Sequence, residues 1–227
     1  MYAERPSRLG AGAILWTGLA SGRAGGTRIL PDGCMDLIWT TTGLLVAGPD
    51  TRAYVHSSRA GDRSTGLRFA PGQGPAILGL PASELRDTRV PLDAVWPAGE
   101  VRELTERIAE APTPGGALET AVRARGGPDA RSGRVYELVR AGRPVAEVAA
   151  AVNYSERQLH RHALAAFGYG PKTLARILRM RRALRLAREG QAFGEVAATA
   201  GYADQAHLAR EVKALAGIPL GTLLDGG

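Results

Sequence analysis

The sequence predicts an α+β chain of two domains. A small β-rich barrel or sandwich comes first, and an all-α domain follows, with two helix-turn-helix units joined by a long linker helix. Three observations predict it. Apolar residues come in short strand-like runs up to Trp96 and at helical spacing beyond it. The C-terminal part contains an internal repeat, offset by 48 to 49 positions. The excess positive charge lies wholly within that same part.

The strand runs are Ala13 to Thr17, Leu37 to Thr42, Leu44 to Ala47 and Leu67 to Ala70. Turn signals separate them at Pro31-Asp32-Gly33, Gly48-Pro49-Asp50 and Ala70-Pro71-Gly72. Residues 1–96 are therefore expected to form the β-rich domain. Residues 97–130 read as a helical connector and linker. Val101, Leu104 and Ile108 form a narrow apolar stripe on a helix from Ala98 to Ala111, suited either to the β-domain or to a second copy of the chain. A weaker helix spans Ala117 to Arg125, and Arg125-Gly126-Gly127-Pro128-Asp129 breaks the periodicity.

Residues 131–227 read as helical and duplicated. Glu147-Val148-Ala149-Ala150 recurs as Glu195-Val196-Ala197-Ala198, and Tyr154 as Tyr202. Leu159, Arg161 and Gly168 recur as Leu208, Arg210 and Gly217 after one added residue in the turn. Asn153 and Gly201 both suit a left-handed helix end. Ser155 and Asp204 then stand as N-caps, with Gln158 completing a capping-box pattern after Ser155. Each unit is thus a short Ala-rich helix, a turn and a capped second helix, with small alanines where the helices must cross closely. Between them Pro171 starts a helix and Gly190 ends it. At about 1.5 Å per residue it acts as a ruler, and one added residue would turn the second unit by about 100°.

Charge and cysteine usage narrow the function. Residues 1–130 hold 14 Arg against 14 acidic residues, whereas residues 131–227 hold 15 basic against 8 acidic residues. A basic module behind a neutral one points to a polyanion such as double-stranded DNA. The single cysteine, Cys34, excludes an internal disulfide and a four-thiolate zinc site, and fits a reducing cytoplasm. Ala11 to Ala20 follows Arg5 and Arg8 like a leader, but Gly12, Thr17 and Gly18 dilute it and no tidy cleavage site follows. No apolar run approaches membrane-spanning length, so a cytoplasmic protein with no membrane partner is expected.

The doubled unit resembles the DNA-binding domain of AraC/XylS-type transcriptional regulators. The match lies in Gly201-Tyr202-Ala203-Asp204-Gln205-Ala206-His207-Leu208-Ala209-Arg210-Glu211-Val212-Lys213 and Gly217-Ile218-Pro219. Leu208 and Val212 stand where the family usually has phenylalanine. Leu30-Pro31-Asp32-Gly33-Cys34-Met35-Asp36-Leu37-Ile38-Trp39 and Leu80-Pro81-Ala82-Ser83-Glu84-Leu85 are similar to a subgroup whose N-terminal domain is small and cupin-like. The resemblance implies a bacterial sequence-specific transcription regulator that is not an enzyme. It further implies an N-terminal domain that senses a small-molecule effector or mediates homodimerisation, with RNA polymerase as a further candidate partner. A nonspecific architectural DNA-binding protein is the alternative.

The residues that would read DNA follow from the same match. A recognition helix presents its N-terminal and exposed positions to the major groove. The family pattern places base contacts on Arg157, His160 and Arg161, then on Gln205, Ala206 and Arg210. Arginine pairs bidentately with guanine and glutamine with adenine, while alanine offers only apolar contact to a thymine methyl. His207 is assigned to a phosphate or a local cap, and Lys172 with Thr173 to a phosphate at the linker helix N-terminus. Tyr154 and Tyr202 read as packing residues. In the N-terminal half, Asp32, Cys34, Asp36 and His56 are the sole group suggesting a metal. One histidine is too few for a cupin metal site, so no metal or cofactor is expected. Trp16, Trp39, Tyr54, Phe69 and Trp96 suit either a ligand pocket or the core.

Overall fold

The computed structural model describes residues 1–10, 12–20, 26–127 and 129–225. Ala11 of the leader-like segment and Pro128 of the linker lie outside that set. The first half contains strands β1 (Tyr2–Pro6), β2 (Ile14–Leu19), β3 (Thr27–Ile29), β4 (Asp36–Thr40), β5 (Gly43–Ala47), β6 (Tyr54–His56), β7 (Arg63–Arg68) and β8 (Arg89–Pro91). Six of them form one antiparallel sheet in the order β1-β2-β7-β4-β5-β8, and β3 pairs with β6 as a separate ribbon. The outer strands β1 and β8 are not paired to each other.

Register explains the core. Leu15 stands opposite Leu67, Leu67 opposite Leu37, and Leu37 opposite Val46, so one row crosses four strands on the buried face. Phe69, Ile77 and Leu92 close that face. On the other face, a Cβ at Gly66 would fall inside the indole of Trp16. Glycine there lets Trp16 lie flat over β7 and donate from Nε1 to the Asp36 carboxylate at 2.6 Å.

Helix α1 (Gly74–Leu78) follows β7, and α2 (Ala98–Glu110) and α3 (Pro114–Arg123) follow β8. Leu104 and Ile108 of α2 are buried in the β-domain cluster together with Leu118 and Val122 of α3. Leu104 and Ile108 of the α2 stripe therefore pack within the chain, with Val101 at the edge of the same cluster. Glu119 of α3 is buried. It accepts two hydrogen bonds from Arg5 at 3.0 and 3.1 Å, one from the Ser7 hydroxyl at 2.8 Å and one from the Arg8 amide at 2.9 Å. It ties the first strand and its turn to the helical layer.

The second half is helical. It comprises α4 (Ala130–Arg140), α5 (Val145–Ala151), α6 (Glu156–Phe167), α7 (Pro171–Arg188), α8 (Phe193–Ala200), α9 (Gln205–Ala216) and α10 (Leu220–Asp225). One hydrophobic cluster runs through all of them, and α7 supplies Leu174, Ile177, Leu178, Met180, Ala183, Leu184 and Leu186 to it. The linker helix is thus the central post of the domain. Asp129 caps α4 by accepting from the amides of Arg131 and Ser132.

Candidate nucleic-acid interface

Each unit is built as its local sequence dictates. Helices α5 and α8 end in residues of left-handed conformation, Asn153 at φ 57° and Gly201 at φ 83°. The chain then turns into α6 and α9. Ser155 accepts from the Gln158 amide while the Gln158 side chain accepts from the Ser155 amide, a complete capping box. Asp204 accepts from the His207 amide at 2.6 Å. Ala149 and Ala197 are buried where the paired helices cross.

These caps fix the entry of α6 and α9, and the residues assigned to base reading project from their early turns. Arg157, His160, Arg161, Gln205, Ala206 and Arg210 are all exposed, as is Lys172 at the start of α7. Among the described residues, the side chains of Arg157, Arg161, Gln205 and Arg210 take part in no hydrogen bond or ion pair. The two histidines differ from them. The imidazole of His160 lies against the backbone of Gly170, where a Cβ would come within 2.6 Å of the ring. His207 turns back on its own unit, with Nδ1 accepting from the Ala203 amide at 3.3 Å and its ring edge-on to Tyr202. Tyr202 is buried and Tyr154 half-buried, with Arg131 donating to the Tyr154 hydroxyl at 2.7 Å.

Arg176 and Arg179 of α7 hold the second unit in place. Arg176 pairs with Glu211 of α9, at 2.8 and 3.2 Å. That bond holds the Glu211 carboxyl below its ordinary range despite partial burial. Arg179 donates to the Gly201 carbonyl at 3.3 Å and stacks over Tyr202. Neither contact is visible in the local sequence, because the partners lie 22 and 35 positions further along the chain.

The N-terminal motif lands at the boundary with these helices. Gly33 lies against Leu174, Tyr169 and Tyr136 of the C-terminal domain. Asp32 accepts from the Cys34 amide at 2.9 Å, and Asp32 and Asp36 flank Arg68, at 3.2 and 3.6 Å from its Nε. Burial pushes the Cys34 thiol well above its ordinary range, and the Asp32 charge adds to that. His56 sits in the β3–β6 ribbon, and among the described residues no three His, Cys, Asp or Glu side chains gather as a metal site. Phe69 and Trp96 are core residues, whereas Tyr54 is exposed. Among the described residues no helix is long and apolar enough to cross a membrane.

Comparison with known proteins bears on this geometry. Residues 135–225 match the family described as a helix-turn-helix domain, and residues 14–91 match a family described as a domain of unknown function. No curated protein matches. A solved probable AraC family transcriptional regulator from Rhodopseudomonas palustris is 23% identical, with a TM-score of 0.37, over 41% of this chain and 93% of its own. A structure of apo ToxT from Vibrio cholerae is 10% identical, with a TM-score of 0.49, over 97% of this chain and 99% of its own. A ToxT structure with bound unsaturated fatty acid is 11% identical, with a TM-score of 0.47, over 93% and 94%. The chain thus carries a helix-turn-helix domain over residues 135–225, and ahead of it, over residues 14–91, a domain matching a family of unknown function.

Proposed function

We propose that the chain is a cytoplasmic, sequence-specific transcription regulator whose helices α6 and α9 read successive major grooves on one face of DNA. One observation carries the reading: two capped helices, held on one buried post, present uncommitted Arg157, Arg161, Gln205 and Arg210 to solvent. Side chains of this type read base edges, while Lys172 and the α7 N-terminus serve a phosphate. Ala206 contributes apolar contact, so the second helix discriminates less than the first. His160 and His207 support their helices, with His160 near enough to the groove-facing arginines to contact DNA as well. Residues 131–227 are the DNA-binding module, residues 97–130 the helical connector, and residues 1–96 the domain that senses an effector or pairs with a second copy.

The test is selection of duplexes by the full chain from a randomised library, followed by binding to the recovered and scrambled duplexes over a range of salt. Specific reading predicts a recovered motif in two parts and an affinity that falls steeply with salt on both duplexes. Equal affinity for recovered and scrambled DNA would instead make the chain an architectural DNA binder.

A further inference from the structure

The duplicated units end their recognition helices at equivalent residues, Gly168 and Gly217, both left-handed. The N-terminal domain touches both ends. A Cβ on Gly168 would meet Pro49 at 2.5 Å and the Ala82 carbonyl at 3.2 Å, so that domain packs directly on the end of α6. At the end of α9, the Ala53 amide donates to the Leu215 carbonyl at 2.7 Å, and Arg28 of β3 donates to the Ala216 carbonyl at 2.9 Å. These two carbonyls belong to the last turn of α9, which has no partners of its own for them, and a cation there also suits the helix dipole.

Pro49 and Ala53 bound one short segment that runs from one recognition helix to the other, and the segment is braced. Asp50 is gripped by Arg89 at 2.5 and 2.6 Å, the Thr51 amide donates to the Asp87 carboxylate at 2.7 Å, and the Asp87 amide donates to the Pro49 carbonyl at 3.1 Å. The contacts fall on the ends of α6 and α9 remote from their capped, DNA-reading turns, so they leave Arg157, Arg161, Gln205 and Arg210 exposed.

We propose that Pro49–Ala53, with Arg28, is a positioning strap by which the N-terminal domain fixes the spacing and angle of the two recognition helices. This rests on the two-groove reading above. The strap contacts no DNA. It raises affinity for a two-part site by holding the second reader where the first reader's groove requires it, which is an effective-concentration effect. Core contacts already hold Leu215 and Ala216 of α9, and Arg28 and Ala53 add a second anchorage at that end.

The experiment compares the full-length wild type with a variant carrying one glycine inserted after Thr51 and with Arg28→Gln. The probes are the duplex most enriched by the wild type from a randomised library and two versions with one half scrambled. A working strap predicts that both variants lose about tenfold or more on the intact duplex. They should stay within about twofold of wild type on each half-scrambled duplex, and accept half-sites moved by one base pair. Should the insertion prevent folding, Arg28→Gln, which removes one cap and leaves the backbone alone, decides in the same way. Wild-type affinity of the variants for the intact duplex would overturn the strap alone, as would an equal loss on intact and half-scrambled DNA. A wild type indifferent to scrambling either half would overturn the two-groove reading and the strap with it.

Discussion

Arg176 and Glu211 join the linker helix to the second recognition helix through a two-pronged ion pair, Nε to Oε2 at 2.8 Å and Nη2 to Oε1 at 3.2 Å. Both partners are partly exposed, so the pair is worth about 0–1 kcal/mol of stability. Its consequence for binding is orientation. Glu211→Gln is expected to leave the melting temperature nearly unchanged while weakening specific binding more than nonspecific binding, measured by titration of both kinds of duplex. An equal effect on the two would show that α9 is oriented by its core contacts alone.

Base readout is the second expectation. Arg161→Ala and Arg210→Ala should each cost about 1–3 kcal/mol of specific binding and relax preference at one base position. Selection of preferred sequences by each variant checks this. Uniform loss on specific and random DNA would make these arginines phosphate contacts. His207→Ala should instead act through its helix, since the ring faces Ala203 and Tyr202.

The repeat, both caps and the linker helix were legible in the sequence because each rests on neighbouring residues: Ser155 with Gln158, Asp204 with His207, Asn153 and Gly201 at the turns. What was not legible depends on partners far away in the chain. Tyr2–Pro6 is exposed at every position and shows no alternation, so β1 gave no signal before its pairing with β2 was seen. The three-residue strands β3, β6 and β8 are too short for periodicity. Glu119 resembles any surface glutamate until Arg5 and Ser7 meet it, and Arg28 reaches its carbonyl on Ala216 across 188 positions.

Glu119 supplies the third expectation. Burial alone would raise its carboxyl, but hydrogen bonds from Arg5, the Arg8 amide and Ser7 outweigh that and hold it below the ordinary carboxylate range. A carboxyl lowered in the folded state stabilises the fold above its unfolded pKa, and that contribution fades as pH falls through the folded value. Glu119→Gln keeps the shape but leaves Arg5 unpaired, so it should cost about 1–3 kcal/mol near neutral pH. The difference from wild type should shrink in acid, as followed by denaturant melts at several pH values. A variant equally stable at neutral pH would show the cluster to be ornamental.

Caps give a fourth expectation with two readouts. Ser155→Ala and Asp204→Ala should each lower stability by about 1 kcal/mol. Because each cap sits at the first turn of a reading helix, specific binding should fall as well, even at temperatures where the domain is fully folded. Unchanged binding by the folded variants would mean that DNA itself holds those turns.

The spacing of the two readers gives the last expectation. A helix of 18 residues spans about 27 Å, and the thickness of the flanking units brings the readers near the roughly 34 Å of one DNA turn. Changing the length of α7 is a poor test, since an alanine inserted near Arg182 would drive Ala183, Leu184 and Leu186 out of the core. Changing the DNA avoids that. Five base pairs inserted between the half-sites rotate one of them by about half a turn, and specific affinity should drop to that of a single half-site. Ten base pairs restore the face but add about 34 Å, which a buried, ion-paired post cannot supply. Affinity should therefore stay low at both five and ten. Recovery at ten would mean that the two units are tethered loosely, against the shared core of α7 and the Arg176–Glu211 pair. Full affinity at five would mean that one unit alone reads the site.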